Sequence, residues 1–301
     1  MVAPQFLLVD KPSGMTSHDV VARVRRAAGT RKVGHAGTLD PMATGLLMIG
    51  IEGATRLLHY CVGLDKVYTA TIRLGATSST DDADGEVGPT APAAALDAID
   101  EAAIDAGIAA LTGPIEQVPS SVSAIKVDGK RAYDRVREGE EVVLKARAVR
   151  ILRFERHGAL RRSEQGIDLD VEVECSSGTY IRALARDLGA ALGVGGYLTV
   201  LRRTSVGPFR VDEAASLDEP LARPLTPAEA ASALFPTVRL GQHEAIALGH
   251  GKQLTGLDLP QQRLEPVAAL DESGHLLGLI SWNGERSRVL MNMPTVTEGQ
   301  S

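Results

Sequence analysis

The sequence predicts an α+β protein in which a large domain of strands and helices precedes a small β-rich module. Residues 167–175 set Ile167, Leu169, Val171, Val173 and Cys175 against Asp168, Asp170, Glu172 and Glu174, the alternation of a strand with one face buried and one acidic face in water. Val20, Val21, Val24 and Ala28 recur at helical spacing, so a helix with one apolar stripe is expected over 17–28. After Phe235-Pro236 the texture shifts to short apolar runs separated by Gly, Asp and Asn turns, as in a compact β module.

Taken in order, Phe6-Leu7-Leu8-Val9 reads as a buried strand that ends in the turn Asp10-Lys11-Pro12-Ser13-Gly14. Lys11 is either a structural turn residue or an active-site contact. Thr16 and Asp19 have capping-box spacing ahead of the 17–28 helix, with Asp in place of the usual Glu. Then comes the stretch from Gly34 to Gly45, GHAGTLDPMATG, with three glycines, one histidine, one carboxylate and one proline. The glycines permit tight backbone, and Pro41 fixes its own φ and disfavours α geometry at Asp40. A shaped loop is expected, leading into a buried strand at 46–51. Asp40 is either a turn or helix-start residue or a nucleophile or base held on a stiff loop. No Lys-Ser/Thr follows the last glycine, so a phosphate loop does not fit, and His35 has no partner at metal-ligand spacing.

Residues 66–74 alternate as a strand, with Tyr68, Ala70, Ile72 and Leu74 on one face. Residues 77–88 form a polar loop and 93–111 an alanine-rich helix ended by Gly113-Pro114. Residues 118–145 are led by Pro and Ser and then turn basic through Lys126, Lys130 and Arg131 around Tyr133. This composition suits an RNA-backbone contact or a solvated insertion. Beyond the acidic strand, Ser176 to Gly189 reads as a turn and a helix, with Arg182 in the first turn. A cation there opposes the helix dipole unless an anion sits opposite. A further strand is expected at 206–211 and a connecting stretch at 214–236. Short strands follow near 237–240, 266–270, 276–282 and 287–291, with a helical segment at 244–248.

The 301 residues, 44% of them hydrophobic, are enough for one large domain and a module. No run is long enough to span a bilayer, no signal peptide is legible, and the two cysteines, Cys61 and Cys175, form no metal or redox motif. A cytoplasmic protein with free buried thiols is expected. The net charge of −6 is unevenly spread: no Lys or Arg occurs between Ala76 and Ile125, whereas twelve fall between Lys126 and Arg162. Such separation lets an acidic chain present a basic face, or reflects ordinary solvated faces.

Four motifs now matter through their order: DKPSGMTS from Asp10, GHAGTLDP from Gly34, Lys66-Val67-Tyr68, and SGTYIR from Ser177. Together they closely resemble the bacterial tRNA pseudouridine-55 synthases of the TruB family, over about Phe6 to Val211. The resemblance implies a mixed, largely antiparallel sheet flanked by helices, with a cleft across it. It further implies a catalytic domain over 1–235 bearing an RNA-binding insertion at 118–145, a PUA-like RNA-binding module at 236–295 and a disordered tail at 296–301. Carried over by motif, Asp40 is the nucleophile, Tyr68 stacks on the flipped uracil and helps to move a proton, and Arg182 pairs with Asp40 and keeps it ionised. His35 wedges into the space that the base vacates. Lys11, Lys126, Lys130, Arg131 and Tyr180 are counted with the RNA-contacting residues. The family commonly has Thr at the position of Ala36 and Ala at that of Thr38, small residues in both cases. The expected substrate is uridine 55 in the T-arm of tRNA, with no cofactor, no metal, no membrane, no obligate protein partner and a monomeric enzyme. The competing expectation is an RNA-binding or tRNA-folding protein in which catalysis is secondary, although a pure binder has no physical need for Asp40, Tyr68 and Arg182 together.

Overall fold

The computed structural model describes residues 2–120 and 144–294, together with the backbone of two short paired strands at 126–127 and 130–131. The side chains of Lys126, Lys130 and Arg131, and the expected tail at 296–301, lie outside the described residues.

The strands, in chain order, are β1 (Gln5–Lys11), β2 (Val33–Ala36), β3 (Thr44–Ile51), β4 (Lys66–Leu74), β5 (Gly113–Gln117), β6 (Lys126–Val127), β7 (Lys130–Arg131), β8 (Arg147–Ser163), β9 (Gly166–Cys175), β10 (Gly196–Val206), β11 (Phe209–Arg210), β12 (Ala215–Ser216), β13 (Thr237–Arg239), β14 (Leu264–Leu270), β15 (Leu276–Trp282) and β16 (Ser287–Asn292). One ten-stranded sheet runs β12-β1-β3-β10-β4-β9-β8-β5, with β2 added to β3 and β11 to β10. Its pairs are antiparallel except at β1–β12 and β3–β10, so the expected mixed, largely antiparallel α+β fold is the observed one. A second sheet, β13-β14-β15-β16, forms the C-terminal module.

One face of the large sheet is covered by the helices Ser17–Ala28, Glu101–Ala110 and Ile181–Ala191 through Val20, Val24, Ile104, Leu184 and Leu188. On the opposite face, Phe6, Leu8, Leu46 and Met48 pack with Ala230 and Ala231 of the helix Pro227–Leu234 and with Ala268, Leu270 and Leu279 of the second sheet. A single apolar cluster therefore crosses the expected domain boundary at 235.

Several elements depart from expectation. The helix expected over 93–111 is two helices, Ala93–Asp97 and Glu101–Ala110. Asp100 accepts from the Ala103 amide and caps the second helix, which breaks the run. Of the strand expected at 206–211, Val206 ends β10, which begins at Gly196, and only the short β11 follows the turn at 207–208. The 17-residue β8 has no simple alternation to announce it. Three of its six arginines, part of the basic cluster read from the sequence, are spent on acids: Arg161 on Asp170, Arg153 on Glu172, and Arg156 on Glu101 and Asp105. The acidic face of β9 is thus laddered by cations from its neighbours as well as wetted.

Candidate active site

The site is built over one rung of the sheet. Lys11 pairs with Gly45, Gly45 with Arg203, Arg203 with Tyr68, and Tyr68 with Val173, across five adjacent strands. Side chains in register share a face, so Lys11, Arg203 and Tyr68 form a row beneath the central loop. β3 and β10 are in register at only two pairs, Thr44–Arg202 and Gly45–Arg203. Gly45 makes this junction possible: at φ +103°, a Cβ there would overlap the Arg203 carbonyl.

The loop itself is shorter than expected. Val33–Ala36 is a strand paired with β3, which places Gly34 and His35 in the sheet and leaves residues 37–43 as the turn. That turn is fastened at several points. Ser17 Oγ donates to the Leu39 carbonyl at 3.2 Å and accepts from the Leu39 amide at 2.9 Å. The Gly14 amide donates to the Pro41 carbonyl at 2.8 Å. Lys11 Nζ donates to the carbonyls of Pro12, Met15 and Pro41 at 2.9, 2.8 and 3.2 Å.

Those three bonds correct the placement of Lys11 with the RNA contacts. The residue is 0% exposed, all three ammonium donors are used on backbone, and none remains for a phosphate. Burial pushes its pKa down to about 8.

Asp40 projects from the turn into a cleft of about 200 Å³ that Tyr68, Tyr180, Arg182, Leu201 and Arg203 also line. Arg182 Nε stands 3.0 Å from Asp40 Oδ2. Only 4% exposed, Arg182 directs Nη1 to Asp82 Oδ2 at 3.1 Å and to the Thr80 carbonyl at 2.8 Å. The cation in the first turn of the helix Ile181–Ala191 thus faces two carboxylates, the arrangement that its position against the dipole requires. Asp82 was missed in the sequence, hidden in the acidic loop 77–88. The demand for an anion opposite Arg182 was the signal that could have found it. Asp82 is itself buried and accepts from the Asp84 amide at 3.1 Å.

Arg182 does not leave Asp40 below the ordinary carboxylate range, as the ion pair alone implies. Desolvation on the cleft floor pushes the carboxyl up, Arg182 pulls it down, and Asp82 pushes it up again, leaving it raised. The Asp40 side chain keeps 35% of its surface, so the carboxylate is reachable although its surroundings are poorly solvated.

Tyr68, at the start of β4, is buried apart from its cleft edge. Burial raises its hydroxyl pKa, and the neighbouring guanidinium of Arg203 opposes that shift. Tyr180 is joined to β5, its amide and carbonyl held by the side chain of Gln117 at 2.8 and 3.1 Å. His35 does not line the cleft. Its ring meets His18 edge to face at 5.3 Å, and burial lowers its pKa. A wider concavity of about 620 Å³ at Arg25, Arg26 and Arg31 holds no acid, base or nucleophile suited to chemistry.

No group of three or more His, Cys, Asp or Glu residues at metal-binding geometry occurs among the described residues. Among them, no helix is long and apolar enough to cross a membrane. Cys61 and Cys175 are free and buried, their thiols pushed up to about 12 and about 11 by desolvation.

Residues 25–181 match the family model described as TruB family pseudouridylate synthase (N terminal domain), and residues 182–233 match that of the tRNA pseudouridylate synthase B C-terminal domain. The chain is 60% identical over 297 residues to the tRNA pseudouridine synthase B of Leifsonia xyli subsp. xyli, covering 98% of each chain. It is 55% identical over 285 residues to that of Thermobifida fusca, covering 92% of this chain and 94% of the relative. In fold it resembles a chain of an H/ACA RNP bound to a substrate RNA containing 2′-deoxyuridine, with a TM-score of 0.71 at 22% identity, over 96% of this chain and 85% of that one. It also resembles a chain of a Cbf5-Nop10-Gar1 complex, with a TM-score of 0.70 at 24% identity, over 96% and 84% of the two chains.

Proposed function

Because the chain belongs to the TruB family of pseudouridylate synthases, we propose that it isomerises uridine 55 in the T-loop of tRNA to pseudouridine, with Asp40 as the nucleophile. The reaction class, uridine to pseudouridine in tRNA, follows from family membership; the position and the residue roles are our reading. The observation that carries them is the Asp40 carboxylate held 3.0 Å from Arg182 inside a cleft that also presents Tyr68.

The target uridine leaves its stack, at a cost of a few kcal/mol, and lies against Tyr68, where base–aromatic stacking is worth about 1–3 kcal/mol. Asp40 attacks the nucleotide, and the bond between uracil N1 and ribose C1′ breaks. The base turns, C5 bonds to C1′ and the bond to Asp40 is released; the proton displaced from C5 leaves with the help of the Tyr68 hydroxyl, and N1 takes up a proton in its place. The sum is an isomerisation, so no redox or group-transfer partner is consumed. Arg182, braced by Asp82, fixes the direction in which Asp40 attacks. Supported by the wedge position in the resemblance, His35 fills the gap left in the RNA, and Tyr180 contacts the RNA at the cleft rim. Lys126, Lys130 and Arg131 meet the phosphate backbone. The catalytic domain spans 1–235, and 236–295 is a PUA-like RNA-binding module.

Incubation with an unmodified tRNA transcript, followed by chemical mapping, tests the proposal. Pseudouridine at position 55 alone is the expected result. Modification at another uridine, or none, overturns the substrate assignment.

A further inference from the structure

The rung beneath the loop holds a buried cation that the proposed chemistry has not used. Arg203 is 1% exposed. Its Nε donates to the Leu46 carbonyl at 2.8 Å and its Nη2 to the Gly37 carbonyl at 2.8 Å. Leu46 opens the apolar run of β3, and Gly37, at φ +71°, opens the turn that carries Asp40. Arg203 also stands directly opposite Tyr68 in the β4–β10 register, and both side chains line the cleft. The pairing of β10 with β4 shifts between Arg203 and Ser205, an irregularity of the kind that re-aims a side chain beside a site.

Stability gives little reason for an arginine here. Among the described ion pairs none involves Arg203, so its charge is met by carbonyls, and burying a cation without a carboxylate is expensive. An apolar side chain would fill the same volume at less cost. What the guanidinium supplies is a planar fork with several donors, able to hold two backbone carbonyls and face a third group at once; lysine, a point donor on a flexible stem, cannot do this.

We propose that Arg203 is a positioning residue for the reaction: its guanidinium spans the Gly37 carbonyl, the Leu46 carbonyl and the Tyr68 side chain, and so holds the nucleophile's turn and the tyrosine hydroxyl in one fixed relation. Arg203 need not touch the nucleotide; it acts through Tyr68 and the turn. The inference rests on the assignment of Tyr68 to proton movement, and the experiment separates the two.

Single-turnover rates on tRNA are measured for the wild type, Arg203→Lys, Tyr68→Phe and the double variant, with tRNA affinity measured alongside. Tyr68→Phe alone tests the assignment of Tyr68. For Arg203, the expected result is a loss of about tenfold or more for Arg203→Lys in the wild-type background, with affinity changed less than about threefold, and a further loss in the Tyr68→Phe background smaller by about threefold or more, the part that remains coming from the hold on the turn. An equal loss in both backgrounds, or no loss in the first, overturns the proposal. Should Arg203→Lys fail to fold, the guanidinium ¹⁵N resonances of Arg203 are compared between the wild type and Tyr68→Phe. A shift on removal of the hydroxyl supports the contact, and unchanged resonances overturn it.

Discussion

Asp40 combines two demands that oppose each other. In the proposed reaction attack needs an ionised carboxylate, and the cleft floor disfavours the charge by desolvation more than Arg182 favours it. The sign of the pH dependence follows. A raised pKa means that the carboxylate takes up its proton at a higher pH than an ordinary aspartate, so activity should fall on acidification with an apparent pKa above 3.8. A rate profile flat down to that value would show that Asp40 is not the group that must ionise. Tyr68→Phe keeps the ring and removes the hydroxyl. Proton transfer by a placed side chain is worth about 10²–10⁴-fold, so turnover should fall within that range with tRNA affinity nearly unchanged, whereas near-normal turnover would confine Tyr68 to stacking. That Asp40, Tyr68 and Arg182 meet in one cleft was legible in the sequence because each sits in a distinctive motif. Asp82 and Arg203 were not, because their roles come from contacts between strands and loops far apart in the chain. Lys11 was legible only as one of two alternatives, and the carbonyls around it decide between them.

Elements with one clean periodicity were read correctly. The helix Ser17–Ala28 has the expected bounds and its Thr16–Asp19 capping box, and β4 and β9 alternate as their sequences do. β8 was not read, since its burial pattern loses alternation toward its C-terminal end. β2 was not read because three of its four residues, Gly34, His35 and Ala36, look like loop until β3 supplies the pairing. The β3–β10 junction makes Gly45 the most constrained glycine of the site. Gly45→Ala must relieve both an unfavourable φ and an overlap with the Arg203 carbonyl. It should lower stability by about 2 kcal/mol or more in denaturant unfolding, and a wild-type midpoint would contradict the close approach. In the insertion, neutralising Lys126, Lys130 and Arg131 together should make the log–log salt dependence of tRNA binding shallower by roughly 0.7–0.9 per lost phosphate contact. An unchanged slope would show that these residues do not meet the RNA backbone.

At the scale of the molecule, the C-terminal sheet is joined to the ten-stranded sheet by apolar packing as well as by chain. Ala268, Leu270 and Leu279 share a cluster with Phe6, Leu8, Leu46 and Met48, and Arg56 Nη1 donates to the Asn292 carbonyl. The change of texture after Phe235-Pro236 was visible in the sequence, but the shared cluster was not, because nothing local says which face of β1 and β3 the later strands cover. Truncation after Leu234 should leave the ten-stranded sheet and the cleft residues in place. The truncated chain is expected to unfold cooperatively at a lower midpoint than the full chain, to bind tRNA more weakly and to keep its chemistry at saturating RNA. Non-cooperative unfolding would show that the two sheets form one inseparable unit.

The central claim is that the carboxylate of Asp40 does the chemistry, and Asp40→Asn tests it most directly. The amide is nearly isosteric and caps or turns about as well as the acid, so the loop, the tyrosine and the basic contacts should persist. An amide oxygen is a poor nucleophile, and the substitution leaves Arg182 paired with Asp82 alone. The measurement is pseudouridine formed on tRNA by the variant, with tRNA affinity measured on the same preparation. The account predicts a folded protein that binds tRNA with near wild-type affinity and forms no detectable pseudouridine. Turnover within about tenfold of wild type would contradict it and return Asp40 to the role of a turn residue.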